Sequence, residues 1–464
     1  PKIWKGDLES DIGKSILNCD DNGPTVMMIV NMTIDPAAGP VAIGRLFSGT
    51  IKDGQTINII DSKREGRVQS VNFFMSNVRE QVGQLSAGNI PALLGLTEAR
   101  AGQTISSVKD TAVFEASKYV SEPVVQMAIE PKHPKDLPQL VETLRKLTIE
   151  DPNLVIKIDE ESGETIMAGM GVLHLDVAVN LIKDAKVEIV TSEPLINYRE
   201  TITGSCEPVM AKSPNRHNKI FMKVEPLEPE IAEMCRNGTL SEMKDKKETA
   251  QILRDHGWEP DVAKKVMRFD SRGNIMINGT RGVQFVDESS DSLLSGFDEV
   301  MSEGGLAKEQ VRDCKFTFTH FVPHEDTAHR GLSQLGPASR RACLAAFLSA
   351  QPMILEPMLA IEVRVPTDLI GNVSSVLQGK RGKVLDMQQK GLTSIVIGEV
   401  PAVETFDISE KMRGQTAGKA MWNTHFKAWT QVPKSIAATL TEDIRKRKGL
   451  PPNPPEASEF VDRD

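Results

Sequence analysis

Over residues 24–115, apolar and polar positions alternate in short runs. TVMMIVNMTID, GPVAIGRLFSG, QTINIIDS, GRVQSVNFFM and NIPALLGL are rich in residues that suit strands, and PAAG, KDG and KREG punctuate them. Period-two alternation sends successive side chains to opposite faces, and glycine turns at such close spacing predict a small β-barrel. The segment up to Asp21 reads as a lead-in.

From Glu122 to Ile196 the pattern changes. EPVVQMAIEP, PKDLPQLVETLRKLTIED, NLVIKIDEES, ETIMAGMG, VLHLDVAVNLIKDAK and VEIVTSEPLI predict strand, helix, strand, strand, helix, strand. That order belongs to a ferredoxin-like sandwich of helices on a sheet. Leu137, Leu140, Leu144 and Leu147 recur at helical spacing and are expected to face its core. The same order returns between about Glu356 and Val432, predicting a second such sandwich.

Residues 197–355 are mixed. They hold a strand at IFMKVEP, a charged helical stretch from Pro229 to Arg268, a strand at CKFTFTHF, the polar loop HEDTAHRGLSQLGPASRR from His324 to Arg341 with its glycine and proline frame, and the helix ASRRACLAAFLSAQ. A last helix is expected from Ser435 to Gly449, where glycine and the following prolines end it. The fold class is therefore α+β and multidomain: a small β-barrel, two ferredoxin-like α/β sandwiches and one mixed α+β domain.

With 464 residues, 39% of them hydrophobic and 26% charged, the chain has the composition of a soluble protein of about three or four domains. The five cysteines form neither a disulfide framework nor a CxxC zinc pattern, so reduced thiols in a cytoplasmic protein are expected. No run has the length of a membrane span, and PKIWKGDLES lacks the layout of a signal peptide.

A net charge of −9 excludes a surface that binds nucleic acid everywhere. Basic clusters at Lys212–Lys219, Arg330–Arg341, Lys380–Lys383 and Arg445–Lys448 leave room for local RNA contact.

Two motifs with catalytic overtones fail on spacing. Gly13-Lys14-Ser15 lacks the glycine that a phosphate loop needs five residues earlier, where Leu8 stands. HEDTAH resembles the zinc-protease HExxH, but its second histidine would have to replace Ala328, and His329 does not share a helix face with His324.

PKIWKGDL, GRLFSGT, RKLTIEDPNL, GMGVLHLDV, SPNRHNK, HEDTAHRG and RKRKGLPPNPP follow one another through the chain. Through these motifs the whole chain resembles the elongation factor 2 family of archaea and eukaryotes, the ribosomal translocases. The resemblance implies the part that follows the GTP-binding domain, since no Walker loop or NKxD motif is present. The implied family domains are 1–118 (lead-in and barrel, domain two), 119–196 (three), 197–354 with 433–464 (four) and 355–432 (five).

It further implies no chemistry and no cofactor or metal in this chain alone, with GTP and Mg held in the GTP-binding domain of the intact GTPase. Expected partners are the ribosome with its rRNA, tRNA and mRNA, the chain's own GTP-binding domain and the enzymes of diphthamide synthesis, for a monomer that uses no membrane.

The histidine before Arg-Gly, here His329, is the one the family converts to diphthamide. It sits at the tip of the fourth domain. The resemblance assigns His324, Asp326, Arg330, Gly331 and Gln334 to the same tip, joined by Ser213, Pro214, Asn215, Arg216, His217 and Lys219 of the SPNRHNKI loop.

A codon–anticodon duplex is A-form, read through its shallow minor groove by shape, phosphate and 2′-hydroxyl contacts. A narrow cationic protrusion suits it, with Arg330 offering forked phosphate contacts and Gly331 close backbone approach. The alternatives are a paralogous recycling or ribosome-biogenesis GTPase without the modified histidine, and a stand-alone RNA-binding or assembly protein.

Overall fold

The computed structural model describes all residues except 1–2, 36–37, 77, 116–122, 159–164, 243, 284 and 464. The expected boundary at 118/119 lies outside the described residues. The chain forms two compact units, Pro1–Ile196 and Asn197–Asp464.

In the first unit, Ser10 caps helix α1 (Asp11–Asn18) by accepting the Gly13 N–H, and Cys19 closes it in the left-handed conformation. Gly13, Lys14 and Ser15 thus lie inside a helix, their backbone committed to helical geometry.

Ten strands follow. They are β1 (Val26–Asp35), β2 (Gly39–Ser48), β3 (Thr50–Lys52), β4 (Thr56–Ile59), β5 (Arg64–Arg67), β6 (Ser70–Met75), β7 (Val78–Gln81), β8 (Gln84–Ser86), β9 (Ala92–Leu94) and β10 (Thr104–Ser106). The sheet runs β5-β4-β10-β1-β2-β9-β6-β7, with β3 and β8 paired to each other. Met27, Ile29, Leu46, Ile57, Val71, Leu93 and Ile105 form its core.

The expected small β-barrel is corrected here, because its sheet does not close among the described residues. Among the described residues β5 and β7 do not pair. These end strands read REGR and VREQ and are largely exposed, and charge on an edge favours water over further pairing.

The rest of the unit is β11 (Val125–Pro131), α2 (Leu137–Glu150), β12 (Val155–Ile158), β13 (Thr165–Gly169), α3 (Val172–Asp184), β14 (Ile189–Thr191) and β15 (Leu195–Ile196). The sheet order is β12-β13-β11-β14, so the short β14 lies beside the first strand, β11. Helix α2 buries Leu140, Leu144 and Leu147, each worth roughly 1.5–3 kcal/mol in apolar burial. Leu137 departs from the expected stripe: it opens the helix and is 46% exposed.

The second unit begins with β16 (Arg199–Ile202), β17 (Val209–Lys212) and β18 (Lys219–Pro226). The stretch read as one charged helical region breaks into α4 (Pro229–Arg236), α5 (Lys246–Asp255) and α6 (Pro260–Ala263), then turns into strand β19 (Val266–Asp270). Pro229 and Pro260, which lack a donor, each open a helix.

Strand β20 (Asn274–Asn278), α7 (Ser290–Ser302), β21 (Gln310–Val311), β22 (Cys314–Val322) and α8 (Leu332–Ser349) follow. The central sheet is β17-β18-β22-β20-β19. Phe297 of α7 and Phe347 of α8 pack with Met222, Phe316 and Phe318 of the sheet in one core. A Cβ at Gly296 would sit 2.5 Å from the Arg340 nitrogen and the Gly336 oxygen, so this glycine lets α7 and α8 close together.

The chain ends with β23 (Pro352–Pro366), α9 (Ile370–Gln378), β24 (Lys383–Lys390), β25 (Thr393–Pro401), α10 (Ile408–Thr416), β26 (Met421–Gln431) and α11 (Lys434–Arg447). The partners of β23 are β25 and β26, and β24 lies beyond β25, the same relation of chain order to sheet order as in the first unit. Residues 352–355 of the long strand β23 also pair with β16.

No described helix is long and apolar enough to cross a membrane. All five cysteines are free, and burial pushes the Cys235 and Cys343 thiols up to about 12.

Candidate nucleic-acid interface

The hairpin β17–β18 and the connection between β22 and α8 present two loops side by side, residues 213–218 and 323–331. The first closes on itself. Ser213 N–H donates to the Asn218 carbonyl (3.0 Å), and Arg216 N–H to the Ser213 carbonyl (2.7 Å). Arg216 takes φ +62°. The buried Ser213 hydroxyl donates to Asn215 Oδ1 (2.5 Å) and accepts from the Asn218 backbone N–H (3.0 Å).

In the second loop, Asp326 caps a short 3-10 turn, Thr327–His329, by accepting the Ala328 N–H at 2.9 Å. His324 Nδ1 accepts the Asp326 N–H at 3.1 Å. Asp326 thus shapes its own turn, as short acids commonly do.

Asn218 joins the loops. It is fully buried, and its Nδ2 donates to the Ser213 hydroxyl (3.0 Å) and to the His329 carbonyl (2.8 Å), while its Oδ1 accepts the His324 N–H (2.8 Å). Asn215 Nδ2 donates to the same His329 carbonyl (3.0 Å), and Asn215 N–H donates to Gln334 Oε1 (3.0 Å). The His329 carbonyl is therefore held by two amides of the first loop while its side chain stays exposed.

The imidazoles of His217, His324 and His329 meet at the apex. Their ring centroids lie 5.1 Å (217–324), 5.3 Å (217–329) and 4.7 Å (324–329) apart. Pro214 and Arg216 are exposed beside them, and Arg216 has no ion-pair partner among the described residues. Lys219 opens β18 opposite Lys212. Gly331 has an extended backbone, and a Cβ there would meet nothing within 4 Å. Folding alone does not require a glycine at this point.

Two expectations need correction. The polar segment is a loop only as far as Gly331, because Leu332–Arg341 is already helix α8, with Pro337 inside it. Leu335 is fully buried there and Pro337 exposed, so helix packing outweighs the proline and glycine that suggested a loop. Arg340 accordingly pairs with Glu299 of α7 (2.6 Å).

The second correction concerns Arg330. Its side chain is only 6% exposed and pairs with Glu288 at 2.8 Å. Its guanidinium stacks 3.8 Å from the Phe285 ring centroid and donates to the carbonyls of His324 (3.3 Å) and Glu325 (3.1 Å). A guanidinium so engaged cannot also fork onto phosphate; it fixes the loop. Since Glu288 is 64% exposed, solvent screens that pair, and the ring and carbonyl contacts carry more of the anchoring.

Arg330→Lys should cost about 1–2 kcal/mol, because an ammonium cannot reproduce the planar stack and fork. Urea unfolding of the second unit would measure it; an unchanged midpoint would remove Arg330 from the loop's framework.

The remaining basic clusters are also largely paired within the chain. Lys380 meets Asp407, Arg381 meets Glu356 and Glu404, Arg341 meets Asp462, Lys446 meets Glu442 and Lys448 meets Glu309. Sequence reasoning missed Asn218 and the third loop, residues 279–289, that supplies Phe285 and Glu288. Only the position of Asn218 at the end of a turn, ahead of an alternating strand, hinted at the former.

Four family profiles match successive parts of the chain: "Elongation factor Tu domain 2" over 39–106, "Elongation Factor G, domain III" over 120–193, "Elongation factor G, domain IV" over 239–351 and "Elongation factor G C-terminus" over 353–440. "Elongation factor 2" of Cenarchaeum symbiosum (strain A) is 72% identical over 464 residues, all of this chain and 64% of its own length. "Elongation factor 2" of Sulfurisphaera tokodaii is 46% identical over 467 residues, covering 99% of this chain and 63% of its own. That of Metallosphaera sedula is 46% identical over 466 residues, with the same shares. The chain thus spans less than two thirds of the length of these relatives. With two loops locked together around a histidine, four profiles matching successive parts of the sequence and relatives aligned along its whole length, the chain belongs to the elongation factor 2 family.

Proposed function

We propose that the chain serves GTP-dependent translocation of tRNA and mRNA on the ribosome, as the part of the factor that reaches the decoding region. The observation that carries this reading is the apex: the exposed imidazoles of His217 and His329, the half-buried one of His324 and the exposed Arg216, set on a hydrogen-bonded frame in which two amides hold the His329 carbonyl. Such a surface offers stacking planes, donors and one exposed guanidinium to an A-form minor groove, whose ribose hydroxyls and phosphates it can follow by shape.

On this reading His329 is the diphthamide position, and the open space at Gly331 leaves room for a modifying enzyme or for RNA. His324, Asn215, His217 and Arg216 line the contact, with Pro214, Lys219 and Gly331 around it. Ser213, Asp326, Gln334 and Arg330 support it from within.

The family domains are assigned as 1–118, the lead-in and open sheet; 119–196 and 355–432, ferredoxin-like sandwiches; and 197–354 with 433–464, the tip domain. The chain performs no chemistry alone. GTP and Mg belong to the family's GTP-binding domain, whose state biases the arrangement of the others. The factor works in the cytoplasm as a monomer.

In the full-length factor, His329→Ala combined with His217→Ala should slow translocation roughly tenfold or more, as the loss of stacking contacts worth about 1–3 kcal/mol each requires. Frame errors should rise with it. Single-round translocation and frameshift assays decide; unchanged rate and fidelity would overturn the assignment of the tip. Mass spectrometry of the peptide containing His329, from native cells, tests the modification.

A further inference from the structure

We infer that the C-terminal segment from Glu456 to Arg463 is a brace that sets the two tip loops relative to each other, with Asp462 as its positioning residue; the functional consequence rests on the tip reading above. Strand β17 is a short edge strand of its sheet, and it carries loop 213–218. An edge strand leaves backbone donors and acceptors open, and here the tail occupies them. Asp462 N–H donates to the Met210 carbonyl (2.9 Å), and Lys212 N–H donates to Asp462 Oδ2 (2.7 Å).

That carboxylate oxygen also accepts from Arg341 Nη1 at 2.9 Å. Arg341 stands on α8, the helix that the second loop leads into, and its Nη1 also donates to the Lys212 carbonyl at 3.4 Å. Lys212 Nζ returns the contact by donating to the Arg463 carbonyl at 2.7 Å. One carboxylate therefore staples the root of the first loop to the helix behind the second.

The tail reaches this place by a defined route. A capping box between Glu456 and Glu459 shapes a 3-10 turn, and Phe460 packs on the core of the tip domain. Burial would raise the Asp462 carboxyl, but the Lys212 N–H and the Arg341 guanidinium hold it below the ordinary carboxylate range.

Because Phe460 belongs to the core, truncation would confuse bracing with folding, and point variants are the better test. In the full chain, Asp462→Ala should speed hydrogen exchange at the amides of Ser213, Asn215, Asn218 and His324 on the order of tenfold, as loss of a charge-assisted bond predicts. Exchange in β20 and β22 should stay as it was, and Asp462→Glu should restore most of the protection. Unchanged tip exchange in Asp462→Ala, or an increase spread equally through β20 and β22, overturns the brace. Translocation measured on the same variants separates the two readings: faster tip exchange with undiminished translocation supports the brace and removes the tip as the working surface.

Discussion

Asn218→Ala should inactivate the tip without touching any exposed residue of it. The substitution removes both donors and the acceptor of a fully buried amide. The His324 N–H is left without its partner, and the His329 carbonyl keeps only Asn215. Each net hydrogen bond is worth about 1 kcal/mol, and a buried group left unpaired costs about 1–3 kcal/mol, so a destabilisation of about 3 kcal/mol is expected.

Asn218→Asp tests direction as well as size. It keeps the shape but turns the donor that faces the His329 carbonyl into an acceptor, so two oxygens oppose each other at a contact now 2.8 Å long. Its cost should match or exceed that of alanine. Urea unfolding gives the stability and amide exchange at residues 213–218 the local effect. Wild-type stability and protection in both variants would show that the loops are held by something else. Translocation should fall as far as in the His329→Ala, His217→Ala double variant, although both histidines are intact.

What was legible in the sequence followed from periodic burial. Leu140, Leu144 and Leu147 announced α2 because one buried face repeats every turn, and the alternation of strand and helix over 125–196 and 352–431 was visible for the same reason. Closure of the first sheet was not, because closure depends on which edges pair, and alternation says nothing about that. Around the tip, residue type misled in two opposite ways. Arg330 looked like a phosphate contact, but its charge is stacked on Phe285 and paired with Glu288, some 40 positions away in a loop with no cationic pattern of its own. Asn218 looked like an ordinary turn residue because a buried amide and an exposed one are spelled alike. Pro337 argued for a loop, yet neighbours such as Leu335 and Ala338 are fully buried in the tip core, and packing on that scale overrides local propensity.

Glu200 should make the second unit lose stability as pH rises. Its carboxylate is fully buried on β16 and accepts the N–H groups of Leu306 (2.8 Å), Ala307 (2.7 Å) and Glu309 (3.0 Å). The loop it holds is gripped from the other side by α11 and the residue that ends it: Arg445 donates to the Leu306 carbonyl (2.6 Å) and Lys448 to those of Ala307 (3.0 Å) and Lys308 (2.6 Å). Burial outweighs the three donors and pushes this carboxyl up to about 7 from an ordinary 4.5. A folded-state value above the unfolded one means that the folded protein binds the proton more tightly, so the associated stability is complete below about pH 4.5 and is lost as pH rises to about 7. At about 1.4 kcal/mol per tenfold in the protonation equilibrium, the loss is on the order of 3 kcal/mol. Glu200→Ala should cost on the order of 3–6 kcal/mol, since it strands three N–H groups at once, the buried one of Ala307 among them. Glu200→Gln cannot ionise, so its stability difference from wild type should shrink between pH 5 and pH 8. A difference that stays constant across that range in paired denaturation curves would mean that Glu200 does not titrate with folding and holds the loop 304–309 equally well at every pH in the range.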